Sequence, residues 1–122
     1  MGKVLVVEDN PTNMAFVVFL LETEGHTVII ATDAEAGLTL ARDERPDLIL
    51  MDVQLPGMDG LAATVLLKSD AATRNIPVIA LTAQAMKGDE ERVRAAGCDA
   101  YIAKPMRYKE VLAAIAAQLA RA

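Results

Sequence analysis

The chain has 122 residues, enough for one domain built on one core. Hydrophobic residues make up 53% but aromatics only 3%, so that core must be filled by aliphatic side chains, Ala and Met. The formal charge of −5 argues against a nucleic-acid partner, which needs clustered Lys and Arg, and a single cysteine, Cys98, excludes an internal disulfide and suits a reducing cytoplasm.

The first apolar run, Val4 to Val7, is too short to span a membrane and acids follow it at once, so neither a signal peptide nor a membrane anchor is expected. Lys3 to Val7 reads as a buried strand closed by Glu8-Asp9-Asn10. Asn10 suits an N-cap and Pro11 a first helical position, which opens a helix running to about Glu24 and stopped by Gly25. That helix is apolar all round. Phe16, Val17, Leu20 and Leu21 make one ridge, and Met14, Ala15, Val18 and Phe19 another. Either the second ridge is partly exposed and serves a partner, or the helix is unusually deeply buried. Thr27 to Ala31 is a second strand. Asp33 caps a helix over about Ala34 to Glu44, with Leu38 and Ala41 inward.

Leu48 to Met51 is a third strand, a continuous apolar run suited to a sheet covered on both faces, and it ends in Asp52. Pro56, Gly57 and Gly60 turn the chain. Asp59 or Gly60 then opens a helix to about Lys68 that uses Leu61, Val65 and Leu66. Ile76 to Leu81 is a fourth strand, closed by Thr82. The helix from Met86 to Ala96 has few anchors beyond Met86 and Val93, which marks it as a moving part, and Glu90 and Arg94 are spaced for a surface pair. Asp99 to Ala103 is a fifth strand, closed by Lys104-Pro105. A last helix, Tyr108 to Ala120, carries Val111, Leu112, Ile115 and Leu119 on one face. Cys98 reads as buried or inert, and His26 as a surface loop residue.

Strands alternating with helices imply an α/β, doubly wound, five-stranded parallel sheet with helices on both faces. In a flavodoxin-like order, 2-1-3-4-5, the switch point gathers Glu8, Asp9 and Asp52, with Thr82 and Lys104 beside them. Each of these residues taken singly reads equally well as a cap or a surface residue, and Asp52 as an ordinary turn former. Their convergence on one edge favours a site. Three carboxylates stay ionised together only around a cation, and an all-oxygen set favours Mg²⁺ over Zn²⁺. A metal, an ammonium and a hydroxyl suit a phosphoryl group, and a central carboxylate can take it up as an aspartyl phosphate.

At Val6-Val7-Glu8-Asp9-Asn10, Met51-Asp52 through Pro56-Gly57-Met58-Asp59-Gly60, Ala80-Leu81-Thr82-Ala83 and Tyr101-Ile102-Ala103-Lys104-Pro105, the chain resembles the response regulator receiver domains of two-component signalling. The segment Met86 to Arg92 and the length also resemble single-domain receivers that regulate cell division. The resemblance implies that Asp52 accepts phosphate from a histidine kinase or histidine phosphotransferase. Glu8, Asp9, Asp52 and the Gln54 carbonyl would hold Mg²⁺, with Glu8 acting directly or through water. Thr82 and Lys104 would contact the phosphoryl oxygens, Thr82 and Tyr101 would form the switch, and Lys104-Pro105 would be cis. The expected product is a signalling switch and not an enzyme with turnover. It is expected to be a monomer or weak homodimer in the cytoplasm, one receiver domain over residues 1–122 with no output domain, and without membrane or nucleic-acid partners. Met14, Val18, Met86, Tyr101 and Arg107 are the candidate contacts for the phosphodonor and a downstream protein target.

Three rivals share parts of this pattern. A flavin carrier needs a donor-rich loop after the first strand, where this chain has acids. An aspartyl-phosphate phosphatase carries a second Asp two residues after its nucleophile, where this chain has Gln54. A phosphate-blind interaction module has no use for Asp9, Asp52, Thr82 and Lys104 together. Glu8 stands where many receivers have Asp, a change of reach and not of charge. Gln54 and Gln84 are placed to lie beside an attacking water.

Overall fold

The computed structural model describes residues 2–83 and 87–120, without the side chains of 87–89. Gln84 and Met86 lie outside the described residues. Strands and helices alternate as β1 (Lys3–Val7), α1 (Pro11–Thr23), β2 (Thr27–Ala31), α2 (Ala34–Glu44), β3 (Leu48–Asp52), α3 (Gly60–Ser69), β4 (Val78–Thr82), α4 (Lys87–Ala95), β5 (Ala100–Ala103) and α5 (Tyr108–Ala120). The strands pair in parallel in the order β2-β1-β3-β4-β5, as the alternation requires.

The strand composition follows from burial on both faces. Leu5, Val7, Ile49, Met51, Val78 and Ala80 face a core closed by α2, α3 and α4. Their neighbours Val4, Val6, Leu48, Leu50, Ile79 and Leu81 face a second core closed by α1 and α5. Every residue of β3 and β4 is buried, so neither strand can alternate apolar with polar. The entries to α1, α2 and α3 are each closed by a cap. Asn10, Asp33 and Asp59 accept the backbone N–H three residues on, at 3.0, 2.8 and 2.8 Å.

The α1 helix settles between its two expected arrangements. Val17, Leu20 and Leu21 are buried; Met14, Phe16 and Val18 are half-buried, and Phe19 is 67% exposed. The α3 expectation is corrected. The face it buries is Gly60, Ala63, Thr64 and Leu67, while Val65 and Leu66 are each 48% exposed and Leu61 is half-buried. Small residues at helical spacing let α3 approach the sheet closely, and that close contact outweighs the larger side chains, which point out. His26 lies in the loop before β2, as expected, and gains a structural partner there. It is half-buried, and its Nδ1 accepts the Gly2 N–H at 3.0 Å, tying the start of β1 to the turn before β2. Cys98 is buried, and burial raises its thiol pKa. On α4, Val93 is buried, and Arg94 Nε lies 3.4 Å from Glu90 Oε1 as the spacing suggested. Among the described residues, no helix is long and apolar enough to cross a membrane.

Candidate functional site

The carboxyl ends of four strands meet because ladder bonds continue past them. Glu8 N donates to Ala31 O at 3.0 Å, Val53 N to Leu81 O at 2.9 Å, and Lys104 N to Thr82 O at 2.7 Å. Glu8 therefore still follows the β1 line, and its side chain is fully buried, while Asp9 beyond it is exposed. Asp52 is 2% exposed and Thr82 5%. Lys104 Nζ reaches back over this floor, 3.0 Å from Glu8 Oε1 and 3.2 Å from Asp52 Oδ1. The Lys104-Pro105 peptide bond that precedes α5 is cis.

Backbone donors orient both buried acids. Gln54 N–H donates to Asp52 Oδ1 at 3.0 Å, and Asn10 N–H to Glu8 Oε2 at 3.2 Å. Glu8 Oε1 lies within ion-pair distance of the ammonium, yet no described donor is in line to hydrogen-bond it. Glu8, Asp9 and Asp52 each offer a carboxylate oxygen, and these lie within 4.8 Å of one another. Three carboxylates are gathered about one ammonium, so negative charge is in excess and one buried oxygen has an ion pair but no hydrogen bond. This donor set can hold a metal ion, and its chemistry fits a hard divalent cation.

The electrostatics carry the same message. Burial pushes the Asp52 carboxyl up to about 6, and the neighbouring Glu8 carboxylate adds to the rise, against the Gln54 N–H and Lys104, which lower it. For Lys104, desolvation pulls the pKa down, but the Glu8 and Asp52 carboxylates outweigh it and hold the ammonium above its ordinary value. Lys104 thus remains a cation, while Asp52 ionises at a cost unless more positive charge arrives.

Gly60, read from sequence as a turn residue or the start of a helix, proves part of the site's frame. Its N–H donates to Val53 O at 3.0 Å, closing the loop after β3. A Cβ here would be driven into the Asp52 carbonyl oxygen and stand 2.8 Å from the Asp52 carbonyl carbon, both rigid backbone. Gly60→Ala is therefore expected to destabilise the fold by about 3 kcal/mol, a midpoint drop of roughly 10 °C in a thermal melt. Helix propensity alone predicts a change of the opposite sign; a melt that rose or stayed level would show that the loop yields freely.

The family model described as "Response regulator receiver domain" matches residues 4–116. The chain belongs to this receiver family. The receiver is 54% identical over 104 residues to the polar-differentiation response regulator DivK of Brucella anthropi, covering 85% of each chain. The corresponding protein of Brucella melitensis is 53% identical over the same share. Among solved structures, the receiver domain of a sensor histidine kinase from Pseudomonas aeruginosa, described with a magnesium ion coordinated in its active-site cleft, aligns with a TM-score of 0.91, 35% identity and 98% coverage of both chains. A chemotaxis response regulator of Vibrio cholerae aligns with a TM-score of 0.92 and 25% identity over 97% of this chain and 98% of its own. The chain is thus a phosphoryl-accepting signalling domain, acting through phosphodonor and target proteins.

Within the receiver, the sequence-predicted residues divide into two groups. Glu8, Asp9, Asp52, Thr82 and Lys104 stand together at the rim. Gln54 adds its N–H, with its side chain exposed. The remainder are spread over the surrounding surface. Tyr101 is half-buried against the α2–α3–α4 core, opposite Ala80 of β4. Arg107 is exposed at an apolar groove of about 540 Å³ that it shares with Phe16, Met106 and Tyr108. Met14 and Val18 lie half-buried on α1. Sequence reasoning missed Phe16 and Met106 as groove walls, because nothing local says that α1 and the start of α5 flank one gap.

Proposed function

We propose that Asp52 is the phosphoryl acceptor of a phosphorelay. The observation that carries this reading is the polarised carboxylate itself. Asp52 Oδ1 is held by the Gln54 N–H and the Lys104 ammonium, at 3.0 and 3.2 Å, which leaves Oδ2 to meet an incoming phosphorus. In the reaction, that oxygen attacks the phosphorus of a phosphohistidine in line. The P–N bond breaks, and its electron pair leaves with the imidazole nitrogen, forming an acyl phosphate on Asp52.

Glu8, Asp9, Asp52 and the Gln54 carbonyl are the residues that would hold Mg²⁺, which supplies positive charge to the phosphoryl oxygens when bound. Lys104 steadies the same charge from the opposite side, and the Thr82 hydroxyl donates to it. Movement of Thr82 frees space for Tyr101 to turn inward, and the change is read on α4, β5 and the start of α5. The chain has no substrate to turn over beyond its own phosphoryl group, whose hydrolysis resets it.

The apolar groove walled by Phe16, Met106 and Tyr108 opens beside Lys104-Pro105, and with Met14, Val18 and Arg107 it suits the helices of a histidine kinase or phosphotransferase. Tyr101 and Arg107, with Met86, are assigned to a downstream protein target. The net charge of −5 and the lone Cys98 support a cytoplasmic partner to proteins and not to nucleic acid or membrane. The Brucella relatives are polar-differentiation response regulators, which together with the resemblance to cell-division receivers supports a role in cell division and the cell cycle.

The test is chemical mapping. The protein is incubated with Mg²⁺ and a small acyl phosphate, the product is reduced with borohydride, and its peptides are sequenced by mass. One homoserine at position 52 is expected. Homoserine at Asp9 or Asp59 instead, or none at all, would overturn the assignment.

A further inference from the structure

A cavity of about 190 Å³ opens between the loop after β3 and helix α4, walled by Val53, Gln54, Asp59, Thr82, Arg92 and Val93. The loop wall is tied to Asp52, since Gln54 N–H donates to Asp52 Oδ1. The far wall is α4, which Val93 anchors by burial. Asp59 caps α3 by accepting the Ala62 N–H at 2.8 Å, so its charge is fixed in place. Among the described residues lining this cavity, Arg92 is the single cation, set on an exposed face of α4. Its α4 neighbour Arg94 does not line this cavity.

We propose that Arg92 is the residue through which α4 senses the phosphoryl group, its guanidinium turning into this cavity when Asp52 is phosphorylated. The proposal rests on the reading of Asp52 as the acceptor. A phosphoryl group on Asp52 brings close to two negative charges and three acceptor oxygens next to the wall that Gln54 and Thr82 give this cavity. A guanidinium is suited to meet them because its planar fork donates to two oxygens at once. The helix α4 has little apolar anchorage to oppose a shift towards the cavity, since Val93 is its one buried large side chain among the described residues. Arg92 therefore binds the phosphorylated state better than the free one, which is what a switch requires of any element that reports it.

Beryllofluoride with Mg²⁺, a non-covalent phosphoryl mimic, is titrated into the full chain and into three variants, each also melted without ligand. Arg92→Gln is expected to bind the mimic about tenfold more weakly, with Arg92→Lys recovering part of the loss and Arg94→Gln unchanged. Raised salt should narrow the gap between the parent and Arg92→Gln, because a point charge is involved. Unchanged affinity in Arg92→Gln would overturn the proposal, as would an equal loss in Arg94→Gln. So would a fall in the ligand-free melt of Arg92→Gln with no change in affinity, which would make Arg92 merely structural. If the parent itself takes up neither the mimic nor the covalent label, the Asp52 reading fails first and this one with it.

Discussion

Asp52→Asn is expected to take up no phosphoryl group and, at the same time, to melt at a higher temperature than the parent in the presence of a chelator. The first half follows from chemistry, since a neutral amide is no nucleophile towards phosphorus. The second half follows from charge. Glu8 and Asp52 are buried against one ammonium, at 3.0 and 3.2 Å, so the local balance is one negative charge too many even before Asp9 is counted. Removing that charge leaves Glu8 and Lys104 matched one to one.

The sign of the pH dependence follows from the Asp52 value of about 6, raised above its ordinary 3.8. Below about pH 4 the carboxyl is protonated in both the folded and unfolded chain, and the two proteins should match on this account. Between about pH 4 and 6 the unfolded chain ionises first, so the parent loses stability as the pH rises; above that window the loss is complete. Asn at position 52 removes the loss. The expected gain at pH 7.5 is at most about 3 kcal/mol, or roughly 10 °C, and it should shrink when Mg²⁺ is added. Labelling that persisted in the variant would remove Asp52 from its role. A variant no more stable than the parent at neutral pH would mean that Lys104 already balances both acids.

Lys104→Met is expected to move stability the other way. Methionine keeps much of the side-chain stem and removes the charge, leaving Glu8 and Asp52, both almost wholly buried, with no cation between them. Breaking a buried ion pair from one side costs about 3–5 kcal/mol. Since the Lys104 side chain is 17% exposed, the lower end of that range is the better guide. The loss should be large in chelator at pH 7.5 and ease as the pH falls, because Asp52 then takes a proton and the repulsion ends. Added Mg²⁺ should rescue it, and the variant should bind Mg²⁺ roughly tenfold tighter than the parent, since no ammonium competes for the same oxygens. Phosphorylation of the variant should nonetheless fail to be transmitted, because the cation linking β5 to the phosphoryl group is gone. Thermal melts with and without metal, and a metal titration, check the first two claims. A variant indifferent to Mg²⁺ would mean that the three carboxylates do not share an ion.

Much of this architecture could be read along the chain because its causes are local. Asn10-Pro11 and Asp33 signal helix starts through the hydrogen bonds their own side chains make, and the structure shows those bonds. The unbroken apolar runs at β1, β3 and β4 state that both faces of the sheet are covered. Other outcomes depended on what lies across a gap. Leu66 and Leu67 look alike in the chain, yet one is 48% exposed and the other 2%, because the buried face of α3 was chosen by how closely Gly60 and Ala63 let it approach. Gln118, a polar residue near the end of α5, is buried beside Ile115 for a similar reason, that the helix face was set by its large apolar neighbours.

The residues of the rim were determined by sequence alone. Strand-end acids, a hydroxyl and a lysine, each following an apolar run, must arrive at one edge of a parallel sheet whatever the details of packing. What tertiary structure alone decided is how unequal they are. Glu8 and Asp9 are adjacent acids in the chain, but Glu8 continues the β1 ladder and is buried whole, while Asp9 turns to solvent. Lys104 could have reached any of several carboxylates and settles between Glu8 and Asp52. Likewise Arg92 lines the cavity beside Thr82 and Arg94, two residues on, does not. Charge and hydrogen-bonding capacity belong to a residue and travel with it; burial, distance and direction belong to the packed whole, and they turn a set of acids into one with a single poised member.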